Sequence, residues 1–117
     1  MEGATPQKEA ISRLMADEYA GKILSTTHRS PMSVQNISRV CGIPIAVAYR
    51  RVSKMEGIGL LKCVRQEEVF RGKKVRYYQC AVKVLRLIFM EGYFRIEVEW
   101  LPEDEFIVQP EAIAVKA

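Results

Sequence analysis

The stretch GIPIAVAYRRVSKMEGIGLL, residues 42–61, decides the fold of this chain. Gly42 lacks a Cβ and suits a tight turn with a positive φ, and Pro44 suits the start of a helix because its φ is preset. Neither Gly nor Pro occurs in residues 45–56, which predicts a helix of about three turns. Gly57 then provides a stop signal for that helix.

The predicted helix has two different faces. Ala48, Val52 and Met55 follow the 3.6-residue repeat and predict a buried stripe. The opposite side carries tyrosine, serine and basic side chains, which suits a helix that lies in the major groove of DNA. The candidate DNA-contacting residues of this recognition helix are Ile45, Ala46, Tyr49, Arg50, Arg51, Ser53 and Lys54.

A shorter helix is predicted just before Gly42. Ser33 is an N-cap candidate for a helix over residues 34–40, and Pro31 requires the residue before it to be extended. This helix, the Gly42 turn and the longer helix together form a helix-turn-helix unit. The predicted buried side of the shorter helix consists of Val34, Ile37 and Val40. The candidate phosphate contacts on and beside it are Ser33, Gln35, Asn36, Ser38 and Arg39.

An N-terminal helical region is predicted over residues 7–25. Asp17 is an N-cap candidate at a break within this region. The apolar residues at helical spacing before the break are Ile11, Leu14 and Met15. Residues 26–32, TTHRSPM, are predicted to form a loop.

The periodicity changes after Gly59, which is a second stop signal. Two runs rich in β-formers follow, joined by RGKK at residues 71–74, and they predict a β-wing with a basic tip over residues 62–80. The candidate DNA contacts of the wing are Arg71, Lys73 and Lys74. Glu67 and Glu68 interrupt the positive charge, so only part of the wing is expected to contact the DNA backbone.

Residues 82–101 are predicted to form a β-hairpin with a two-residue turn at Glu91 and Gly92. The predicted cross-strand pairs are Met90 with Tyr93, Phe89 with Phe94, Leu87 with Ile96, and Leu85 with Val98. Arg86 is then opposite Glu97 on the other face. A shift of the register by one residue would destroy both the apolar pairs and this charged pair. The alternative is a long C-terminal dimerisation helix, which the Val and Ile residues make less favourable.

Charge is unevenly distributed along the 117 residues, whose net charge is +4. Residues 1–49 carry a net charge of +1, residues 50–86 carry +8, and residues 87–117 carry −5. The basic block covers the predicted recognition helix and wing, which favours contact with phosphate over an ordinary solvated face. Residues 102–117 are predicted to form an acidic tail. The apolar residues through which this tail could dock are Phe106, Ile107 and Val108.

The length and composition indicate one globular domain, because 49% of the residues are hydrophobic and 27% are charged. No apolar run reaches the length of a transmembrane helix. The N-terminus MEGATPQKEA lacks the basic flank and apolar stretch of a secretory signal. A cytoplasmic protein with no membrane contact is therefore expected.

Cysteine and histidine are too sparse to form a familiar site. Cys41, Cys63 and Cys80 form no CxxC pair, and His28 is the only histidine. This spacing does not match a zinc site and is typical of reduced, buried thiols. A thiol or metal sensor built across a dimer remains an alternative. His28 has no partner at a recognisable catalytic spacing, so neither an enzyme nor a cofactor is predicted.

Residues 17–61 resemble archaeal winged helix-turn-helix transcriptional regulators of the ArsR-like type. The similarity lies in PMS at the start of the shorter helix, YRR in the recognition helix and GLL before the wing. It continues through YYQC and EGYFRIEVE and covers roughly residues 15–100. The resemblance implies sequence-specific DNA binding, usually as a dimer, with no catalysis.

One part of the recognition helix differs from this family. Such helices usually carry Ser, Thr or Arg in the first turn, where bases are contacted. Here the positions hold Ile45, Ala46 and Val47, which can contact only thymine methyl groups or sugars. This difference favours A/T-rich sites, shape readout, or a helix that partly contacts protein.

The predicted fold is α+β, a winged helix-turn-helix with a three-helix core, a β-wing and a C-terminal β-hairpin. Residues 1–15 are predicted to be an N-terminal helical extension, 16–81 the DNA-binding domain, 82–101 the dimerisation hairpin and 102–117 the acidic tail. The predicted function is sequence-specific binding of double-stranded DNA by a homodimeric transcription regulator. The alternative is a winged-helix module that binds another protein without direct base readout.

The hairpin is the predicted dimer interface because one of its faces is apolar. The residues of this face are Leu85, Leu87, Phe89, Phe94, Ile96, Val98 and Trp100. A two-stranded sheet is marginal without packing on something, so either the N-terminal segment of a partner or a second hairpin is expected to cover it. The alternative is a monomer in which the face closes on its own core.

Overall fold

The computed structural model describes residues 6–106 of the chain. This part contains four α-helices, α1 (Pro6–Met15), α2 (Glu18–Arg29), α3 (Val34–Cys41) and α4 (Ile45–Gly57). The helices are followed by four strands, β1 (Leu61–Glu68), β2 (Lys74–Cys80), β3 (Val82–Met90) and β4 (Tyr93–Trp100). Strand β1 pairs with β2, and β3 pairs with β4, so that the chain has two separate antiparallel two-stranded sheets. The predicted α+β class is confirmed. The predicted tail contacts Ile107 and Val108 lie outside the described residues.

The predicted break in the N-terminal helical region occurs at Asp17. Its side chain accepts a hydrogen bond of 2.9 Å from the backbone N–H of Tyr19 and thereby caps α2. The predicted loop over residues 26–32 is wrong in its first half, because α2 continues to Arg29. Thr27 lies in this added turn and is fully buried, and its hydroxyl donates to the carbonyl of Ile23, 2.7 Å away, so that the buried polar group is satisfied.

The turn between α3 and α4 adopts the conformation expected of its glycine. Ser33 caps α3 by accepting the backbone N–H of Asn36, and Gly42 ends it with φ 69° and ψ 38°. The carbonyl of Ser38 accepts the N–H groups of both Gly42 and Ile43. These hydrogen bonds hold the turn in a single conformation.

Val40 was predicted to be buried, and this is wrong because 56% of it is exposed. Cys41 is buried in its place, together with Val34 and Ile37. Positions separated by three and seven residues lie on one face of an α-helix, whereas a position six residues on lies well to the side.

The recognition helix α4 buries Ala48, Val52 and Met55, as its periodicity predicts. The helix ends at Gly57, and Gly59 takes the left-handed conformation with φ 91°. The N–H of Gly59 bonds to the carbonyl of Glu56 and that of Leu60 to the carbonyl of Met55. This pair of bonds is a Schellman motif, and it directs the chain into β1.

The wing is formed by β1 and β2, which pair from Leu61 with Cys80 to Glu68 with Lys74. Met32 adds one further bridge, because it exchanges backbone hydrogen bonds of 2.9 and 2.8 Å with Tyr78. This bridge joins the segment between α2 and α3 to the base of the wing. Met32 lies in the predicted loop over residues 26–32, whose sequence gives no sign of this contact.

The C-terminal hairpin has the predicted register. Its cross-strand pairs are Met90 with Tyr93, Phe89 with Phe94, Leu87 with Ile96, Arg86 with Glu97 and Leu85 with Val98. Glu91 and Gly92 have φ values of 52° and 88°, as a type I′ turn requires. The alternative of a long dimerisation helix is therefore wrong. The hairpin continues from the wing through Ala81, which bonds to both Leu60 and Leu101.

A single core joins the helices to the bases of both hairpins. It contains the buried residues Ile11, Leu14, Ala20, Ile23, Val34, Ile37, Cys41, Ile43, Ala48, Val52, Met55, Leu60, Leu61, Tyr78, Cys80, Val82 and Ile96. Helix α1 contributes Ile11 and Leu14, so it packs on its own chain, whereas Met15 is exposed. Within residues 6–106, no helix is both long enough and apolar enough to cross a membrane.

Candidate nucleic-acid interface

The outward face of α4 exposes a tyrosine and two basic residues. Tyr49 is 52% exposed, and it lines a shallow depression that also includes Arg50, Arg51, Ser53 and Lys54. The side chains of Arg50 and Lys54 form no ion pair or hydrogen bond within the described chain. These two cations are therefore available to a ligand at this surface.

The first turn of α4 is apolar and open. Ile45 is exposed, Ala46 is exposed and Val47 is half-buried against the core. Pro44 occupies the N-cap position and supplies no side-chain hydrogen bond. The surface at this end of the helix consists of methyl groups and free backbone N–H groups.

Arg51 differs from Arg50 because it points back towards α2. Its Nε lies 2.6 Å from Oδ2 of Asp17, and its guanidinium carbon lies 5.8 Å from the ring centroid of Tyr19. The first contact is an ion pair without an aligned hydrogen bond, and both side chains are partly buried. Arg51 thus links the recognition helix to the capped start of α2.

The predicted phosphate contacts of α3 are placed in different surroundings. Gln35 and Arg39 are exposed, and Arg39 donates to Oδ1 of Asn36 at 2.7 Å. Ser33 is buried, with its hydroxyl oxygen used to cap the helix. Ser38 also uses its hydroxyl internally, because it donates to the carbonyl of Ile43. Gln35 and Arg39 are therefore the two accessible members of this set.

The tip of the wing presents an aromatic residue among cations. Phe70 is 75% exposed, and the guanidinium of Arg71 lies 5.0 Å from its ring centroid. Arg71 has the left-handed φ of 62°, and the N–H of Val69 closes the tip by bonding to the carbonyl of Lys73 at 2.7 Å. The exposed cations at the tip are Arg71, Lys73 and Lys74. Phe70 is not among the predicted contacts, although its position directly before the basic turn RGKK is visible in the sequence.

A comparison with protein-family models matches residues 15–64 to a helix-turn-helix domain. Among solved structures, the chain is similar to the homodimeric winged helix-turn-helix DNA-binding domain Mb0332 from Mycobacterium bovis, determined by NMR and described as a possible ArsR-family transcriptional regulator. The TM-score is 0.54 at 19% identity, over 69% of this chain and 76% of that chain. The fold is a winged helix-turn-helix. A comparison with curated proteins finds no match.

On the strands of the wing, one positive and one negative side chain lie together beside a tyrosine. Arg65 lies 3.7 Å from Glu67 and 4.1 Å from the ring centroid of Tyr77, whose hydroxyl donates to Glu67 at 3.0 Å. Burial and the hydrogen bond to Glu67 raise the pKa of Tyr77. The hydroxyl therefore stays protonated near neutral pH. The charge of Glu67 is compensated here, away from the tip.

The base of the wing meets the start of the acidic segment. Nζ of Lys62 lies 2.8 Å from Oε2 of Glu103 and 4.6 Å from the ring centroid of Phe106. The hydrogen bond from Lys62, and then its charge, lower the pKa of Glu103. Phe106 is thus one predicted docking residue that does contact the domain.

All three thiols of the winged helix-turn-helix domain are free. Cys41 and Cys80 are buried and Cys63 is partly buried. Burial raises the pKa of the Cys80 thiol. Among the residues that the structure describes, no group of three His, Cys, Asp or Glu side chains is placed to hold a metal ion.

Proposed function

We propose that this chain is a sequence-specific transcription regulator that binds double-stranded DNA as a homodimer, with α4 in the major groove and the wing tip on the backbone. The observation that carries the proposal is the pair of exposed, unpaired cations Arg50 and Lys54 on a helix whose other face is core. The net charge of +8 over residues 50–86 supports it. The resemblance to archaeal ArsR-like regulators supports a non-enzymatic role in the cytoplasm.

The proposed contacts fall into three groups. Tyr49 and Arg50 contact base edges, because a guanidinium can pair with O6 and N7 of guanine. Ile45 and Ala46 contact thymine methyl groups or sugars. The proposed phosphate contacts are Gln35, Arg39, Ser53, Lys54, Arg71, Lys73 and Lys74. Ser33 and Arg51 support binding indirectly, since one caps α3 and the other links α4 to α2.

These contacts suggest a role for each segment of the chain. We propose that residues 16–81 bind DNA and that residues 82–101 form the dimer. We propose that residues 1–15 are an N-terminal extension, whose described part, α1, packs on the core, and that residues 102–117 are an acidic tail that starts beside the base of the wing. The ion pair of Lys62 with Glu103 supports the last assignment.

The test is selection of bound duplexes from a random pool, followed by affinity measurements at two salt concentrations. Affinity should fall with a log–log slope of about −0.9 for each neutralised phosphate. The variant with Lys73→Glu and Lys74→Glu should bind all duplexes more weakly, whereas Lys22→Glu, which changes an exposed lysine of α2 outside the proposed contacts, should bind normally. Salt-independent affinity, or no affinity for any duplex, would contradict the proposal.

The second candidate is a winged-helix module that binds protein through the first turn of α4. The exposed Ile45 and Ala46 favour it, because apolar groups there offer little to base edges. The substitution Ile45→Arg distinguishes the two. Under the DNA proposal, the added cation should strengthen non-specific duplex binding. If neither the wild type nor the Ile45→Arg variant binds any duplex, the protein-binding module is favoured.

A further inference from the structure

The C-terminal hairpin consists of a covered half and a bare half. Val82, next to the wing, and Ile96, midway along the hairpin and paired with Leu87, are buried in the core to which α1 contributes Ile11. Leu85 and Val98 are half-buried and pack against the same core. The apolar face predicted for an interface is therefore partly used within the chain, and only its distal half remains open.

The distal half exposes three large apolar side chains on one face. Leu87 is 51% exposed, Phe89 is 62% exposed and Phe94 is 70% exposed. The rings of Phe89 and Phe94 are in contact, with centroids 4.9 Å apart and planes tilted by 52°. We call these three residues the distal patch. A contiguous exposed apolar patch of this kind marks an interaction site more often than an ordinary surface.

The opposite face of the hairpin is an ordinary solvent face. Arg86 lies 3.6 Å from Glu97 and 3.2 Å from Glu99, and Arg95 lies 3.5 Å from Glu97. These charges compensate one another across the strands. The hairpin is thus amphipathic, and its charge lies on the side away from the distal patch.

We propose that the distal patch is covered by the distal patch of a second copy of this chain. An uncharged apolar surface is complementary to itself, which is the requirement of a two-fold interface. Duplex DNA does not suit it, since binding to phosphate needs cations and this face of the hairpin carries none. Two sheets packed face to face would also stabilise hairpins that are marginal alone.

The exposed area of the distal patch is enough for the larger part of a small dimer interface, but not for all of it. Taking about 200 Å² of surface for each side chain, the distal patch exposes about 350 Å² on each copy. A symmetric pair would bury about 700 Å² from these residues alone, against the roughly 1,000 Å² of a specific interface. Trp100 is 42% exposed on the same face but lies at the wing end of the hairpin, paired with Val82, so the rest of the interface must come from residues that border the distal patch.

The inference rests on the proposed homodimer and identifies its interface. Sedimentation equilibrium of the full chain tests it without DNA, so its outcome is separate from that of the duplex-binding experiment. The wild-type chain should be a dimer at tens of micromolar. Phe89→Glu and Phe94→Glu should each raise the dimer dissociation constant at least tenfold, because each places a charge inside an apolar contact.

The matched controls lie on the same hairpin and face the other way. Met90→Glu and Tyr93→Glu change residues that are 49% and 77% exposed, and both should dimerise as the wild type does. Circular dichroism of each variant should show the wild-type spectrum. A monomeric wild type would overturn the proposal, and so would controls that dissociate as readily as the patch variants. Dimerisation that persists in Phe89→Glu and Phe94→Glu would also overturn it.

Discussion

Arg50 and Arg51 are neighbours in the chain, but their side chains have different partners. Arg50 is exposed on the outer face of α4, whereas Arg51 pairs with Asp17 at the start of α2. Adjacent residues of a helix are separated by about 100° around its axis. Because of that rotation, one arginine lies on the outer surface, where a ligand can bind, and the other contacts a residue of its own chain.

The first prediction concerns Arg50. Arg50→Ala should relax specificity at one base pair by about 1–3 kcal/mol, because a bidentate contact to guanine is lost. Binding to duplexes that differ by single base pairs measures this. Lys54→Ala is the control and should weaken all duplexes alike while reducing the salt slope by about 1. An unchanged preference in Arg50→Ala would make Arg50 a phosphate contact instead.

The second prediction concerns the link between Arg51 and Asp17. Arg51→Met should lower the free energy of unfolding by no more than about 1 kcal/mol, because the pair is partly exposed. Asp17→Ala should lower it further, by about 1 kcal/mol for the lost N-cap alone. Urea unfolding of both variants and of the double variant measures the coupling. Strictly additive effects would mean that the ion pair contributes nothing.

The third prediction concerns the thiols. Cys63 should react fastest with a thiol reagent, and Cys80 should react only after unfolding, because burial raises its pKa and disfavours the thiolate. The folded Cys80 binds its proton more tightly than the unfolded one. Its contribution to stability is therefore present below the unfolded pKa and is lost as pH rises through the folded value.

Single-cysteine variants provide the readout for this third prediction. Replacing Cys41, Cys63 or Cys80 with Ala should leave duplex affinity unchanged at matched stability, since no thiol lies among the proposed DNA contacts. Redox-dependent or metal-dependent DNA binding that a cysteine variant abolishes would contradict this and favour the sensor alternative.

At the scale of elements, the tip of the wing combines charge with an exposed ring. Phe70→Ala should weaken duplex binding without changing the salt slope, because an apolar side chain packed against the sugars of the backbone adds contact but releases no counterions. Lys73→Ala should reduce the slope instead. Tyr93→Ala is the matched control, since Tyr93 is an equally exposed aromatic residue outside the proposed interface. Equal loss of affinity in Phe70→Ala and Tyr93→Ala would exclude a specific role for Phe70.

At the scale of the whole molecule, dimerisation and DNA recognition should be separable. A two-fold dimer presents two α4 helices to half-sites about 10 base pairs apart, or a multiple of that spacing. Phe89→Glu should therefore keep its affinity for a duplex with one half-site and lose the additional affinity for a palindrome. Titration of both duplexes measures the difference. Equal loss on both duplexes would mean that the variant damages the DNA-binding surface itself.

Local rules account for much of what the sequence predicted. The hairpin register follows from a period of two, because a slip by one residue would place the apolar side chains of one strand opposite the charged side chains of the other. The buried stripe of α4 follows from a period of 3.6, and the turn at Gly42 follows from its missing Cβ. Each rule depends only on residues close together in the chain, so no knowledge of the folded domain was needed.

Tertiary structure decided the rest, because it brings together residues that are far apart in the chain. The extension of α2 to Arg29 places Thr27 at a fully buried position, which no pattern of neighbouring residues indicates. Two further contacts join distant segments that no sequence pattern relates. They are the bridge from Met32 to Tyr78 and the ion pair of Lys62 with Glu103. Packing also covers Ile96 and leaves Phe94 bare on the same strand. Sequence alone therefore determined which face of each element is apolar, whereas only the folded chain determined how much of that face remains open to a partner.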